Sequence, residues 1–395
     1  MRQFETESLP EAAYTVESFG RGLYLEYRIP GIVVTENGTV ICCYEGRMDT
    51  HNDWAQIDIL VCRSTDGGET FARQVIAGSA GVLDDAGKKE SNAASDRVLD
   101  AASDKASDKA LDAASNKTLH KTPEQQESVT WNNPVLIQDG ELVHLLFHKN
   151  YETAYYCFSD DDGITFSEPV EITTAFREFP WEWNVCASGP GHGIVTKTGR
   201  LLVPVWLACG EPLDGDGRKK THQPSVAGAV YSDDRGKTWH AGALVNGISN
   251  ANETTLAERA DGSILFNFRN HEAEGCRALG ISPDGVSGFG KIWKETGLPD
   301  PKCFGSMVRM PDGRIGFINC SNSDKGHPLG ERIFLTYYLS DDDGEHWKPS
   351  VFVDTYGGYA DVAAGGEWLY VFYEQSVWKE ELKRVNHLIL KRYRL

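Results

Sequence analysis

Apolar positions in this chain fall in short runs separated by turns rich in Gly, Asp, Asn and Ser. Leu25 to Tyr44 reads as a hairpin, with two apolar and β-branched stretches on either side of Asn37-Gly38, a pair suited to a tight turn. Ile57 to Cys62 and Glu141 to Phe147 read as further strands. His387 to Arg394 alternates apolar and basic residues, the period of a strand with one buried face. Outside one low-complexity stretch, no long segment carries a helical period. One turn recurs through this pattern. Ser64-Thr65-Asp66-Gly67-Gly68-Glu69-Thr70-Phe71 returns at Ser159 to Phe166, Ser232 to Trp239 and Ser340 to Trp347, and a decayed copy runs from Ser282 to Phe289. Each full copy keeps Ser, then Asp, Gly and an aromatic at fixed offsets; three keep Thr before the aromatic, and the last has His346. Ser and Asp side chains hydrogen-bond the backbone of a tight turn, Gly takes positive φ, and the aromatic seats the hairpin on a core. Unrelated turns have no reason to share all these positions.

The octet resembles the Asp-box of sialidases and related β-propellers. The resemblance implies an all-β, six-bladed propeller in which each blade is a four-stranded sheet. The copies begin at irregular intervals, as expected of blades carrying insertions. Met1 to Gly20 is expected to add an outer strand, and His387 to Arg394 to close the ring beside it, removing an exposed edge. Between about Ala80 and Ser128 the composition shifts: Leu99 to Lys117 (LDAASDKASDKALDAASNK) has no aromatic and too little apolar surface to fold alone. It reads as a mobile insertion in a single propeller domain spanning 1–395; a lid over a site is the alternative.

Charge narrows the function. The net charge of −19 argues against nucleic acid or an anionic membrane as partner, and requires a local arginine cluster to grip any anionic substrate. Met1 to Thr15 has no apolar core of a secretory signal, and the nine cysteines show no C-x-x-C, so reduced core thiols in a cytoplasmic protein are expected. Cys42 and Cys43, adjacent in a strand, should face opposite sides. His144 and His148 lie in a strand pattern rather than a zinc-binding helix, so no metal or cofactor is expected.

Tyr27-Arg28-Ile29-Pro30 resembles the F/Y-R-I-P motif of sialidases, whose arginine belongs to a triad holding the substrate carboxylate. Arg269, in Leu265 to His271 (LFNFRNH), and Arg332, in Glu331-Arg332-Ile333-Phe334, resemble the second and third arginines. An arginine in an apolar strand is costly unless paired, and three guanidiniums give bidentate bonds that a lysine cannot reproduce. Arg309 and Arg314 are less suited. The resemblance implies an Asp on a loop before the first box as acid and base: Asp53 fits best, with Asp49 as the alternative. It implies Tyr359, in Gly358-Tyr359-Ala360-Asp361, as nucleophile, with Glu253 as its base and Tyr356 as the competing tyrosine. A neutral phenol suits a reacting carbon that bears a carboxylate, which would repel a second one. Glu374 resembles the glutamate that holds the first arginine. Arg47 and Asn133 are substrate-contact candidates, although the family often has Asp before the Pro that follows Asn133. Trp181, Trp183 and His192 either line the pocket or, for the tryptophans, pack between blades. Together these residues imply a retaining exo-α-sialidase acting on sialylated oligosaccharides or glycoconjugates. The rivals are an enzyme for a related 2-keto acid sugar such as KDN, or one releasing an anhydro product, and a non-catalytic Asp-box propeller that binds glycans or proteins.

Overall fold

The computed structural model describes residues 9–50, 52–78, 128–272, 274–379 and 383–395. The Ala/Ser/Asp/Lys-rich stretch lies almost entirely outside them. Six sheets, antiparallel apart from one short parallel pairing in the second, make six blades. The first blade is Glu26–Val34, Val40–Arg47, Ile57–Ser64 and Ala72–Ala77, in that order from the axis outwards. The second to fifth blades follow in sequence, with innermost strands Trp131–Asp139, Val185–Ser188, Thr254–Glu258 and Ser306–Arg309. The sixth takes Ala360–Gly365, Trp368–Lys379 and Lys383–Arg394 from the end of the chain and its outer strand, Ala12–Glu17, from the beginning. The ring therefore closes as expected, with Tyr14 opposite Leu390.

Each blade buries both faces. Six apolar clusters fill the six seams: one joins Cys42, Tyr44 and Val40 of the first blade to Phe372, Leu388 and Leu390 of the sixth, and another joins Ile41 and Cys43 to Leu136, Leu145 and Phe147 of the second. Strand alternation sends Cys42 and Cys43 into different seams, which is why Val40 to Tyr44 is apolar without a break. All nine cysteines are free thiols.

The octets occupy the turn between the third and fourth strands. Ser64 Oγ accepts from the Gly68 amide at 2.8 Å, and Asp66 accepts from the Thr70 amide at 2.9 Å and hydroxyl at 2.6 Å. The same bonds recur at Ser159 and Asp161 and at Ser232 and Asp234. In the last copy His346 Nδ1, 2.7 Å from Asp342, takes the place of the threonine hydroxyl. The decayed copy keeps the logic with one residue fewer, Ser287 standing in for Thr. The glycine also has a second duty. A Cβ on Gly163 would come within 2.5 Å of Ile41 in the preceding blade, and one on Gly236 within 2.2 Å of the Tyr156 hydroxyl. The turn thus abuts its neighbour as well as linking its own strands. The sixth blade has no octet because its outer strand comes from the other end of the chain.

Candidate active site

The inner strands all point the same way, so their first residues and the ends of the second strands converge at one end of the axis. Arg28 stands near the start of Glu26–Val34, where the pairing jumps from Arg28–Glu45 to Gly31–Cys43. Ile29, in that bulge, has φ 64°, a strained value for a β-branched residue. The kink is secured by Glu374. Its carboxylate accepts from Arg28 Nε at 3.1 Å and Nη2 at 3.2 Å, from the Ile29 amide at 3.0 Å and from the Tyr359 amide at 3.3 Å. Burial pushes the Glu374 carboxyl up, but Arg28, the Ile29 amide and Arg332 together hold it below the usual carboxylate range.

Tyr359 immediately precedes the inner strand of the sixth blade, and Glu253 that of the fourth. The Tyr359 hydroxyl donates to Glu253 Oε1 at 2.5 Å and accepts from Arg269 Nη1 at 2.6 Å. Arg269 also bonds the other Glu253 oxygen. The guanidinium carbons of Arg28, Arg332 and Arg269 lie 5.1, 5.1 and 6.0 Å from the centre of the Tyr359 ring. Burial is the largest influence on the phenol and raises its pKa above the ordinary value; Glu253 adds to this, while the three arginines oppose it without cancelling it. The resting hydroxyl is therefore protonated. The Tyr356 amide is bonded to Asp354. Arg309 and Arg314 pair with Asp343 and Asp312, at the octet end of the blades.

Asp53 lies on the loop after the second strand of the first blade. Its Oδ1 accepts from Arg47 Nη1 at 2.8 Å and lies 3.9 Å from Arg28 Nη1. Burial raises its pKa, but Arg47, Arg28 and His222 outweigh that and hold the carboxyl far below the usual range, so it is ionised at rest. Asp49 instead caps its own loop, accepting from the Thr50 amide and from Asn52. Arg47, expected among the substrate contacts, is wholly buried behind Asp53 and bound to Glu45 through Nε and Nη2. Asn133, the other such candidate, gives its amide to Glu45 at 2.8 Å and its side-chain NH₂ to the Ser188 carbonyl at 3.1 Å. Both residues therefore frame the site in this structure. Their common partner, Glu45, sits in the Glu45-Gly46-Arg47 segment but gave no signal of its own, because the Asn133 amide it accepts from is 88 positions away.

An aromatic wall stands beside Asp53. Trp54 and His222 each lie 4.9 Å from Tyr151, and Trp206 lies 5.1 Å from His222. None of these was singled out from sequence. Trp183 is spent on packing, with its Nε1 bonded to the Phe176 carbonyl and Arg177 stacked 3.8 Å from its ring. His144 bonds Tyr156 inside the second blade, and His148 bonds Ser188 of the third. The arrangement is a cationic bowl with a protonated phenol and its acceptor at the base and an ionised carboxylate on the rim.

Residues 105–371 match the BNR repeat-like domain family. This chain belongs to the sialidase family of BNR-repeat propellers. It is 27% identical over 338 residues to a sialidase of Bacteroides fragilis, covering 82% of this chain and 54% of that protein. It is 26% identical over 360 residues to a sialidase of Micromonospora viridifaciens, covering 86% of this chain and 48% of that one. The chain thus spans about half the length of these family members. Among solved structures, the Hadza microbial sialidase Hz136 superposes with a TM-score of 0.70 at 21% identity, covering 97% of this chain and 68% of that one. At that identity the likeness speaks for the six-bladed fold.

Proposed function

We propose that the protein is a retaining exo-α-sialidase that releases terminal α-linked sialic acid from oligosaccharides or glycoconjugates. The observation that carries this reading is the Tyr359 hydroxyl, 2.5 Å from Glu253, beneath three arginines in a chain of net charge −19. A binding module needs no proton acceptor against a buried phenol. Arg28, Arg269 and Arg332 take the substrate carboxylate through charge-assisted bonds, which places the anomeric carbon over the Tyr359 oxygen.

Asp53 must be protonated to act as an acid, yet it rests ionised against Arg47 and Arg28. Substrate binding supplies the change. The sugar carboxylate neutralises Arg28, and the leaving group covers the half-exposed Asp53, so the upward push of burial gains on the remaining pull of Arg47. In the first step the Tyr359 oxygen bonds to the anomeric carbon as its proton passes to Glu253 Oε1. The glycosidic bond breaks, and the departing oxygen takes the proton of Asp53. In the second step Asp53 accepts a proton from water, and the water oxygen attacks the same carbon. The Tyr359 oxygen leaves and recovers its proton from Glu253. Two inversions give net retention.

Proton NMR during hydrolysis of sialyllactose tests this directly. The α-anomer of free sialic acid should appear first and mutarotate afterwards. First appearance of the β-anomer excludes the covalent tyrosine, and a 2,7-anhydro product would identify an intramolecular transferase instead.

A further inference from the structure

Another buried carboxylate lies below the site, near the axis. Asp361, two residues after Tyr359, is fully buried. Its Oδ2 accepts from the Ile32 amide at 2.8 Å; its Oδ1 faces His192 Nδ1 at 2.8 Å, Ser306 Oγ at 2.5 Å and the Val362 amide at 2.9 Å. Ile32 belongs to the strand that carries Arg28, Ser306 opens the inner strand of the fifth blade, and Asp361 lies in that of the sixth. His192 comes from a two-residue strand, Gly191–His192, which pairs in parallel with Val135–Leu136 of the second blade. One carboxylate therefore joins elements from four parts of the ring.

The backbone is shaped to allow this. Gly191 has φ 90°, and a Cβ there would lie 2.8 Å from Phe304 and 3.2 Å from Asp361 Cγ. A Cβ on Gly31 would fall 2.6 Å from the Gly191 carbonyl oxygen. Phe304 in turn stands 5.8 Å, centre to centre, from the Tyr359 ring. Two routes thus lead from this cluster to the reacting group: along the strand from Asp361 to Tyr359, and through Gly191 and Phe304 to the ring. A third, through Ile32, runs to Arg28.

We propose that Asp361, held by His192, Ser306 and the Ile32 amide, is a positioning residue that sets the Tyr359 oxygen relative to the carboxylate-binding arginines. The role rests on the sialidase reading above. A propeller has no element crossing its axis, and its blades are separate sheets joined by seams of side chains. The distance from nucleophile to Arg28 crosses the seam between the last blade and the first. Glu374 fixes that seam at the Ile29 amide, and Asp361 fixes it deeper, at the Ile32 amide, so that Tyr359 is held against tilting as well as translation. Arg269 is held separately by Glu253, and substrate affinity depends chiefly on the arginines.

The test is steady-state kinetics on an aryl sialoside, with thermal stability measured alongside, for Asp361→Asn and Ser306→Ala. Displacement of a reacting group by about 1 Å costs on the order of 100-fold in rate. Asp361→Asn should therefore lose about 10- to 100-fold in kcat with KM within about threefold of wild type, and Ser306→Ala a smaller loss of the same kind. Unchanged kcat in a folded Asp361→Asn protein overturns the proposal, as does a loss confined to KM. If Asp361→Asn fails to fold, Ser306→Ala decides: kcat within twofold of wild type overturns it. Inactive wild-type protein would remove the sialidase reading and leave this one measurable. A crystal structure of Ser306→Ala should then show the Tyr359 hydroxyl displaced from Glu253, and an unmoved hydroxyl refutes the positioning role.

Discussion

Glu374→Gln replaces one carboxylate oxygen by NH₂ and changes almost nothing in volume. In the native site each oxygen accepts two bonds: Oε1 from Arg28 Nε and the Ile29 amide, Oε2 from Arg28 Nη2 and the Tyr359 amide. All four donors are fixed, so either orientation of the Gln amide sets its NH₂ against two N–H groups. Two bonds are lost, at least one of them from a guanidinium, in a pair whose side chains are only 13% and 1% exposed. Hydrogen bonds to charged groups contribute about 1.5–3 kcal/mol, and breaking a buried pair costs about 3–5 kcal/mol. If about 3–4 kcal/mol of this is felt by the bound substrate carboxylate, kcat/KM should fall roughly 100- to 1,000-fold, at about 1.4 kcal/mol per decade. The loss should lie mainly in KM, because Arg28 loses its aim while Tyr359 keeps Glu253. Initial rates on an aryl sialoside, with circular dichroism to verify folding, measure it. A kcat/KM within threefold of wild type in folded protein would refute the view that Glu374 orients Arg28.

Tyr359→Phe should remove most turnover and leave the melting temperature nearly unchanged, as read by kcat and calorimetry; near-native activity would reassign the nucleophile to Tyr356. Asp53→Ala should impair sialyllactose far more than an aryl sialoside, whose leaving group needs little protonation; general acid help amounts to ~10²–10⁴-fold, and equal losses on the two substrates would argue against the role. Arg332→Lys should raise KM, since a point charge replaces a fork. Stability should depend on pH through the octet carboxylates. Asp234 is lowered from 3.8 to about 2, chiefly by the Thr238 amide, with burial opposing. A depressed folded pKa means that its contribution is complete above pH 4 and lost as pH falls from about 4 to 2. Asp234→Asn should flatten the fall of melting temperature across that window, and an unchanged slope would contradict it.

The blades were legible because the octet closes all its bonds within a few residues, so its chemistry is written in contiguous letters. The decayed copy at Ser282 was readable for the same reason. Arg28, Glu253 and Tyr359 could be named because each occupies a characteristic local setting at a strand end. The partners of Arg47 are set by three dimensions: Glu45 is a neighbour in sequence, but Asp53 reaches it only through the fold of the loop. The aromatic wall of Trp54, Tyr151, Trp206 and His222 draws on three blades, and no spacing in the chain announces it. His192 looked like a pocket residue in a glycine-rich connection. Its Asp361 partner lies 169 positions away, and the glycines serve a close approach at the axis.

The closing strand has a consequence for how the site comes into being. Arg28 belongs to the first blade, while Glu374 and Tyr359 belong to the last, whose outer strand was synthesised before any of them. During translation the early blades can form in turn, yet Arg28 waits for Tyr359 and for Glu374, which follows it by 346 positions. Ala12–Glu17 must wait, unpaired, for Lys383–Arg394. A ribosome adding about 5–20 residues per second leaves that edge open for tens of seconds. The cluster around Arg28 is thus completed only when the last blade folds, in the same event that pairs the open edge of Ala12–Glu17.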